Sequence, residues 1–285
     1  MNFLVTGSSS YVGKYIINGL LKKKHFVVGI SRTSPRIYHK NFFFKKQDLL
    51  KQRINLKQKI DVVIHAAGSA WMGLNSISYI ESNIIASLNL YKFIKKIKPK
   101  AFFYISSRDI YGEIKSKILS EETDKINPIV YGQTKYLAEK IFENLNNVTI
   151  LRCPSILGIG THGWINEVVK KLKSNAPIIF NNTKFNNFIH ASELSAIILK
   201  ILKKKIKNDY YLLGCSNVVM SEKIISFLKK KLHSFSKVKK ISSKNNFYTI
   251  SVKKISKIHK PMSVEKTLLT YSNEILRSHK NERKL

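Results

Sequence analysis

Three features of the sequence predict an α/β fold built on a doubly wound parallel sheet. Short, continuously apolar runs alternate with amphipathic helical segments through the first half of the chain. The first of these runs, "NFLVTG", leads straight into a turn carrying Gly7 and Gly13, and that turn opens the first helix. After about residue 153 the alternation loosens, which marks a smaller C-terminal lobe laid over the first part.

Residues 2–6 form the first strand. Residues 11–23 then place Val12, Tyr15, Ile16, Leu20 and Leu21 at helical spacing. "FVVGI" (26–30), "NFFF" (41–44) and "DVVIHAA" (61–67) read as the next three strands, and residues 79–96 as a long amphipathic helix. "AFFYIS" (101–106) and "NVTILR" (147–152) are further strands, separated by a helix over 131–145. Strands buried on both faces need no polar alternation, which explains their apolar runs. Later segments read as helices over 165–173, 192–204, 221–232 and 264–277, with strands in "APIIF" (176–180) and "DYYLLG" (209–214). The expected division is a first domain over 1–160 and a lobe over 161–285, with 184–214 returning to the first core.

The 285 residues are 44% hydrophobic, enough for a large core. No apolar run reaches the roughly 18 residues of a membrane span, and no signal peptide is visible. Cys153 and Cys215 stand alone, without metal-ligand spacing, so no metal is expected and a reducing cytoplasm fits. The formal net charge is +34. Most of it is lysine spread over helix faces; arginine occurs only at 32, 36, 53, 108, 152, 277 and 283. Phosphate-gripping surfaces usually add arginine forks. The charge therefore reads as compositional drift, and no nucleic-acid partner is expected.

The chemistry sits at strand ends. In "TGSSSYVG" the loop keeps Gly7 and Gly13, while Ser10 stands where a third glycine would let backbone approach a phosphate. At negative φ a serine is tolerated there, and its hydroxyl could donate to a phosphate oxygen. "YGQTK" sets Tyr131 and Lys135 at i and i+4, on one helix face. A neighbouring lysine is expected to lower the phenol's pKa and suit it to proton exchange near neutral pH. "YISSRDIYG" ends the fifth strand with two serines, "HAAG" closes the fourth with small residues, and Asp48 follows the third.

In joint order and spacing these pieces resemble the extended short-chain dehydrogenase/reductase family of nucleotide-sugar epimerases, dehydratases and reductases, from residue 2 to about 271. The resemblance implies a Rossmann-type sheet with a C-terminal substrate-binding lobe. It implies an NAD(P) site formed by Thr6, Gly7, Ser10, Tyr11, Val12 and Gly13 of the loop, and by Ser31, Arg32, Asp48 and Leu49 after the second and third strands. Ala66, Ala67, Gly68, Asn83 and Lys135 would complete it. Ser107, Tyr131 and Lys135 match the family's catalytic set: Tyr131 exchanges a proton with the sugar oxygen, Ser107 hydrogen-bonds that oxygen, and Lys135 holds the nicotinamide ribose. Asn83, Arg152 and "NFIHASEL" (187–194) match further family positions. Arg108, His162 and Asn166 are the candidates for substrate binding, and a homodimer is compatible with the family.

NAD-preferring members carry an acidic residue at the end of the second strand. Here Ser31 stands there, followed by Arg32 and Arg36, a pattern that welcomes a 2′-phosphate. NADP(H) is therefore the expected cofactor, with NAD(H) the alternative. The dehydratase acid pair after the catalytic serine is replaced by Arg108 and Asp109. The expected reaction is NADPH-dependent reduction of a nucleotide-linked 4-keto sugar. The alternative is 4-epimerisation of the UDP-glucose type; dehydration or a non-catalytic dinucleotide-binding role ranks below both. His162 and Cys153 are further acid–base candidates, Cys153 reading better as a small buried apolar group.

Overall fold

Seven parallel strands form the central sheet: β1 (Asn2–Thr6), β2 (Phe26–Ser31), β3 (Phe42–Lys46), β4 (Val62–His65), β5 (Ala101–Ser107), β6 (Val148–Cys153) and β7 (Asp209–Leu212). Their order is β7-β6-β5-β4-β1-β2-β3, and every neighbouring pair is parallel. This computed structural model describes residues 1–51, 54–69, 75–241 and 247–282. Arg53 and Arg283 lie outside the described residues.

The chain leaves β1 in one direction to β2 and β3 and returns on β1's other side through β4 and β5. The crevice where the order reverses, beyond the carboxyl ends of β1 and β4, is where ligands bind in open sheets of this kind. Alternating residues send side chains to both faces of the sheet. Phe3 and Val5 pack with Ile16, Ile17 and Leu20 of α1 (Tyr11–Lys22) and with the later helix over Ser192–Lys203. Leu4 packs on the other face with Leu90 and Phe93 of α2 (Ala86–Ile97) and with Ala138 and Phe142 of α3 (Val130–Phe142). A separate apolar cluster holds the C-terminal lobe together. It joins α4 (Trp164–Lys173), α6 (Ser221–Lys231) and α7 (Val264–Glu282), with α5 being the Ser192–Lys203 helix.

Two segments depart from the sequence expectation in a way that shapes the site. The fourth strand ends at His65 rather than Ala67, so Ala66, Ala67 and Gly68 leave the sheet and line the crevice. The single helix expected over 79–96 is instead a short turn (Ser76–Tyr79), a π-helical stretch (Ile80–Ile85) and then α2. The wide turn carries Asn83. Its amide donates to Thr134 Oγ1 at 3.0 Å and its carbonyl oxygen accepts the Ser69 N–H at 2.9 Å. Insertions of this kind concentrate at functional sites, and an ideal-helix pattern in the sequence does not reveal them. The strand expected over 176–180 begins at Ile178, since Pro177 has no N–H to give. Among the described residues no helix is long and apolar enough to cross a membrane, and no cluster of His, Cys, Asp or Glu could hold a metal ion.

Candidate active site

The loop after β1 is tight because its glycines are needed. Gly7 has φ +71°, and a Cβ there would stand 2.7 Å from Ala66 O and Ala67 N. A Cβ on Gly13 would meet Gly7 O at 2.2 Å, so the first turn of α1 lies directly on the loop. Ser10 has φ −66°, the negative value at which a serine fits. Its hydroxyl has another task than the one expected, however. It accepts the Gly13 N–H at 3.0 Å and donates to Gly7 O at 2.7 Å. Ser10 is thus an N-cap that fixes the turn, and its proton is committed to the backbone rather than offered to a phosphate.

A groove of about 570 Å³ runs from Gly7 and Ser10 past Ser31, Arg32, Asp48 and Leu49 to Ala66–Ser69. Its size is ordinary for a small-molecule site. Ser31 is nearly buried; its hydroxyl donates to Thr33 O at 2.7 Å and lies 2.7 Å from Ser8 Oγ. Arg32 is exposed at the rim and forms no ion pair among the described residues. The Asp48 carboxylate accepts the Leu50 N–H at 2.9 Å, which shapes the turn after β3. Of the other loop candidates, Thr6 is buried beneath the groove with its hydroxyl 2.7 Å from His65 Nδ1. Val12 packs into the core, and Tyr11 turns away to donate to Ile156 O at 3.3 Å. None of these three lines the groove, whereas Ser9, Thr33 and Gln47, which the sequence reading passed over, do. Their only sequence signal is position just beyond strand ends.

Behind the Ala66–Ser69 end of the groove, without lining it, β5 delivers Ser107 and the first two turns of α3 deliver Tyr131 and Lys135. The Ser107 side chain is the group that favours the Tyr131 phenolate. The Ser107 hydroxyl lies 3.1 Å from Asp109 Oδ2 and also accepts the Asp109 N–H at 3.1 Å. Lys135 is buried; its ammonium donates to Ile105 O at 2.7 Å and sits over the Tyr104 ring at 4.2 Å. It also lies against Gly68, whose missing Cβ would stand 3.9 Å from Nζ. Gly68 in turn lines the groove, so lysine and groove are continuous.

The electrostatics correct one expectation. Lys135 does not bring the phenol down. Burial pushes the Tyr131 pKa well above the ordinary phenol range, and the Asp109 carboxylate adds to that shift; the Ser107 side chain opposes it only in part. Lys135 itself is driven down to about 7 by burial. Between about pH 7 and the ordinary lysine value of 10.5 the unfolded chain holds a proton that the folded chain lacks, so stability should rise with pH across that window. Replacing Lys135 with Met should flatten the rise, as measured by melting temperature from pH 7 to 10. Equal slopes in the two proteins would mean that Lys135 is charged in the fold.

A second cavity of about 480 Å³ opens beyond Arg108. Ser155, Trp164, Phe185, Asn187 and Tyr248 contribute to its walls. Arg108 bridges Asp109 Oδ1 at 3.3 Å and hydrogen-bonds the Tyr248 hydroxyl. Of the substrate-binding candidates, Arg108 lines this cavity, whereas His162 and Asn166 line neither described cavity: His162 is exposed, and the Asn166 carbonyl oxygen accepts from Tyr271 at 3.3 Å. The aromatic walls went unread because they come from residues up to 84 positions apart (164 to 248), with no local pattern.

Beneath the site lies a buried ion pair. Arg152 Nη2 stands 2.8 Å from Glu139 Oε2, and Nε lies 3.2 Å from Oε1. Ser106 donates to Glu139 Oε1 at 2.5 Å, and Arg152 Nη1 donates to Tyr111 at 2.9 Å. The pair ties β5, α3 and β6 together directly under Ser107 and Lys135.

The parallel sheet, with its groove beyond the carboxyl ends of β1 and β4, is a doubly wound α/β architecture of the kind that binds dinucleotides. The family model of the NAD dependent epimerase/dehydratase family matches residues 3–214, and the chain belongs to that family. It is 27% identical to a UDP-glucose 4-epimerase of Caenorhabditis elegans over 61% of this chain and 60% of that protein. It is 24% identical to a putative UDP-glucose 4-epimerase of Methanocaldococcus jannaschii over 80% of this chain and 82% of that protein. Among solved structures, UDP-glucuronic acid 4-epimerase from Bacillus cereus in complex with NAD superimposes with a TM-score of 0.82 at 23% identity, covering 97% of this chain and 99% of that one.

Proposed function

We propose that this chain is an NAD(P)-dependent oxidoreductase acting at one hydroxyl-bearing carbon of a nucleotide-activated sugar, as a 4-epimerase. The observation that carries the reading is the convergence of Ser107, Tyr131 and Lys135: the Ser107 side chain favours the Tyr131 phenolate, and Lys135 reaches the groove through Gly68. The groove suits an extended dinucleotide. Gly7 lets the chain turn where a Cβ would strike Ala66, and the N-terminus of α1 faces phosphates. Asp48 and Arg32 stand at the adenosine end. When bound, the nicotinamide supplies hydride chemistry.

The chain's own residues handle the proton. Tyr131, protonated at neutral pH, exchanges its proton with the sugar oxygen, and Ser107 holds that oxygen in place. Lys135 leaves Ile105 O to bind the ribose, and its charge then favours the phenolate. Residues 1–160, completed by α5 and β7, hold the dinucleotide; the remainder of 161–285, with its aromatic cavity, holds the sugar nucleotide.

Other reactions of the family ask for groups this site lacks. Asp109 is engaged by both Ser107 and Arg108, so no acid is left for dehydration. The Cys153 thiol is pushed up to about 12 by burial and donates to Leu151 O, and His162 stands apart from both cavities, so neither abstracts a carbon-bound proton. The 4-epimerase names of the two curated relatives support the redox-neutral reading. A second reading, NADPH-dependent reduction of a 4-keto sugar, is favoured by Ser31 and Arg32. The two separate on denaturing the purified protein. An epimerase carries bound NAD and converts UDP-glucose or UDP-glucuronate without added cofactor, whereas a reductase arrives largely empty and consumes NADPH.

Cofactor preference has its own test. A guanidinium–phosphate contact is worth about 1.5–3 kcal/mol, roughly tenfold or more in affinity. The Ser31→Asp, Arg32→Ala double variant should lose at least that factor of NADP(H) affinity and gain NAD(H) affinity in direct titration. Equal affinity of the unmodified protein for both cofactors would remove the 2′-phosphate role of Arg32.

A further inference from the structure

The tip of the C-terminal lobe, where α4 and α6 end, is built unlike the rest of the surface. No Asp or Glu occurs between Glu167 and Glu193, or between Glu222 and Glu265, and neither stretch holds an arginine. The two stretches meet at this tip. Asn175 Oδ1 accepts the Ser234 hydroxyl at 3.1 Å and the Phe235 N–H at 2.8 Å. Ser236 Oγ donates to Lys171 O at 3.3 Å, and the Ile178 N–H donates to Lys237 O at 2.9 Å. Lys229 Nζ closes the turn on Ser236 O at 2.8 Å.

Ser234 and Ser236 are buried, yet Phe235 between them is 86% exposed. A phenylalanine on a slack loop can fold back onto the protein. Here both flanking residues are anchored, so the turn holds the benzyl group out in water, with Val238 (40% exposed) next to it. Around it stand the exposed Lys171 and Lys173 at the end of α4, Lys230 at the end of α6, and Lys237, Lys239 and Lys240 beyond the turn. Lysine is abundant throughout this chain and carries nothing alone. What sets the tip apart is a pinned aromatic among lysines of which, among the described residues, only Lys240 meets an acidic side chain, Glu222 at 3.6 Å, at the start of α6 and away from its end.

We propose that this tip is a peripheral docking surface for an anionic phospholipid bilayer. Phe235 enters the boundary between headgroups and acyl chains, and the lysines bind the anionic headgroups. An interfacial site needs an apolar group that costs little to dehydrate and cations that act as point charges over a diffuse potential. Lysine without arginine matches that demand, whereas phosphate readout on nucleic acid favours guanidinium forks and several stacking rings.

The test is sedimentation of the full chain with vesicles of phosphatidylcholine alone and of phosphatidylcholine mixed with phosphatidylglycerol. Binding is expected only to the mixed vesicles, and it should fall as salt is added. Phe235→Ser should weaken it about tenfold. Lys173→Glu with Lys237→Glu should weaken it by about fivefold or more per reversed charge. Melting temperature and turnover of a soluble nucleotide sugar should stay as in the unmodified protein, since none of these side chains touches the site. Failure to bind the mixed vesicles overturns the proposal, as does undiminished binding by Phe235→Ser. Retention on single-stranded RNA without retention on anionic vesicles assigns the tip to nucleic acid and overturns it as well.

Discussion

Replacing Tyr131 with Phe should lower turnover of a nucleotide sugar by a factor of about 10² to 10⁴ while leaving dinucleotide affinity nearly unchanged. The change deletes one oxygen. That oxygen is the one whose ionised form the Ser107 side chain favours, and positioned proton transfer contributes about this factor. The ring keeps its contact with Tyr79, 5.8 Å between centroids, so the helix should not shift. Steady-state kinetics and cofactor titration on the same preparation check both halves of the expectation. A variant within a few fold of the unmodified rate would remove Tyr131 from the chemistry. A variant that also lost the cofactor would make its role one of shape.

Arg152→Ala should be the most destabilising single change near the site. Arg152 and Glu139 side chains are 4% and 0% exposed, so removing the guanidinium strands a carboxylate with no solvent and one remaining donor, Ser106. Breaking a buried pair from one side costs about 3–5 kcal/mol, which in a chain of this size lowers the melting temperature by roughly 10 °C. The guanidinium also lies over the Tyr210 ring at 4.2 Å and donates to Tyr111, so packing is lost with the charge. Lys in its place should recover part of the loss, keeping charge without the forked geometry. A melting temperature within 2–3 °C or so of the unmodified protein would show that water or a proton reaches Glu139 easily.

The inner strands of the sheet were legible because they are buried on both faces and therefore read as unbroken apolar runs, from "NFLVT" to "NVTILR". Gly7, Gly13, Ser107, Tyr131 and Lys135 were legible because each sits at a fixed offset from a strand end or a helix start. What escaped the sequence depended on contacts made across the fold. The π-helical turn around Asn83 answers to Ser69 and Thr134, which lie 14 and 51 residues away. The direction of the Tyr131 shift depends on burial, a tertiary quantity, and burial outweighed the neighbouring charge on which the sequence expectation rested. Ser10 was readable as a tolerated serine, but its role as a cap required knowing where Gly7 O would point. Asn166 was a candidate for substrate binding on α4; the C-terminal helix α7, more than 100 residues later, claims its side chain through Tyr271.

Hydride transfer at one carbon, with only the oxygen-bound proton exchanging through Tyr131, is the central claim. Turnover in deuterium oxide tests it most directly. Nucleotide sugars, and 4-keto sugars supplied with NADPH, are converted in that solvent and the products are examined by proton NMR. A hydride carried by the nicotinamide never mixes with solvent, so the reacting carbon should retain protium. Solvent deuterium at that carbon would mean that a base removes a proton from it, and would contradict the assignment of Ser107, Tyr131 and Lys135 as a hydride-transfer site.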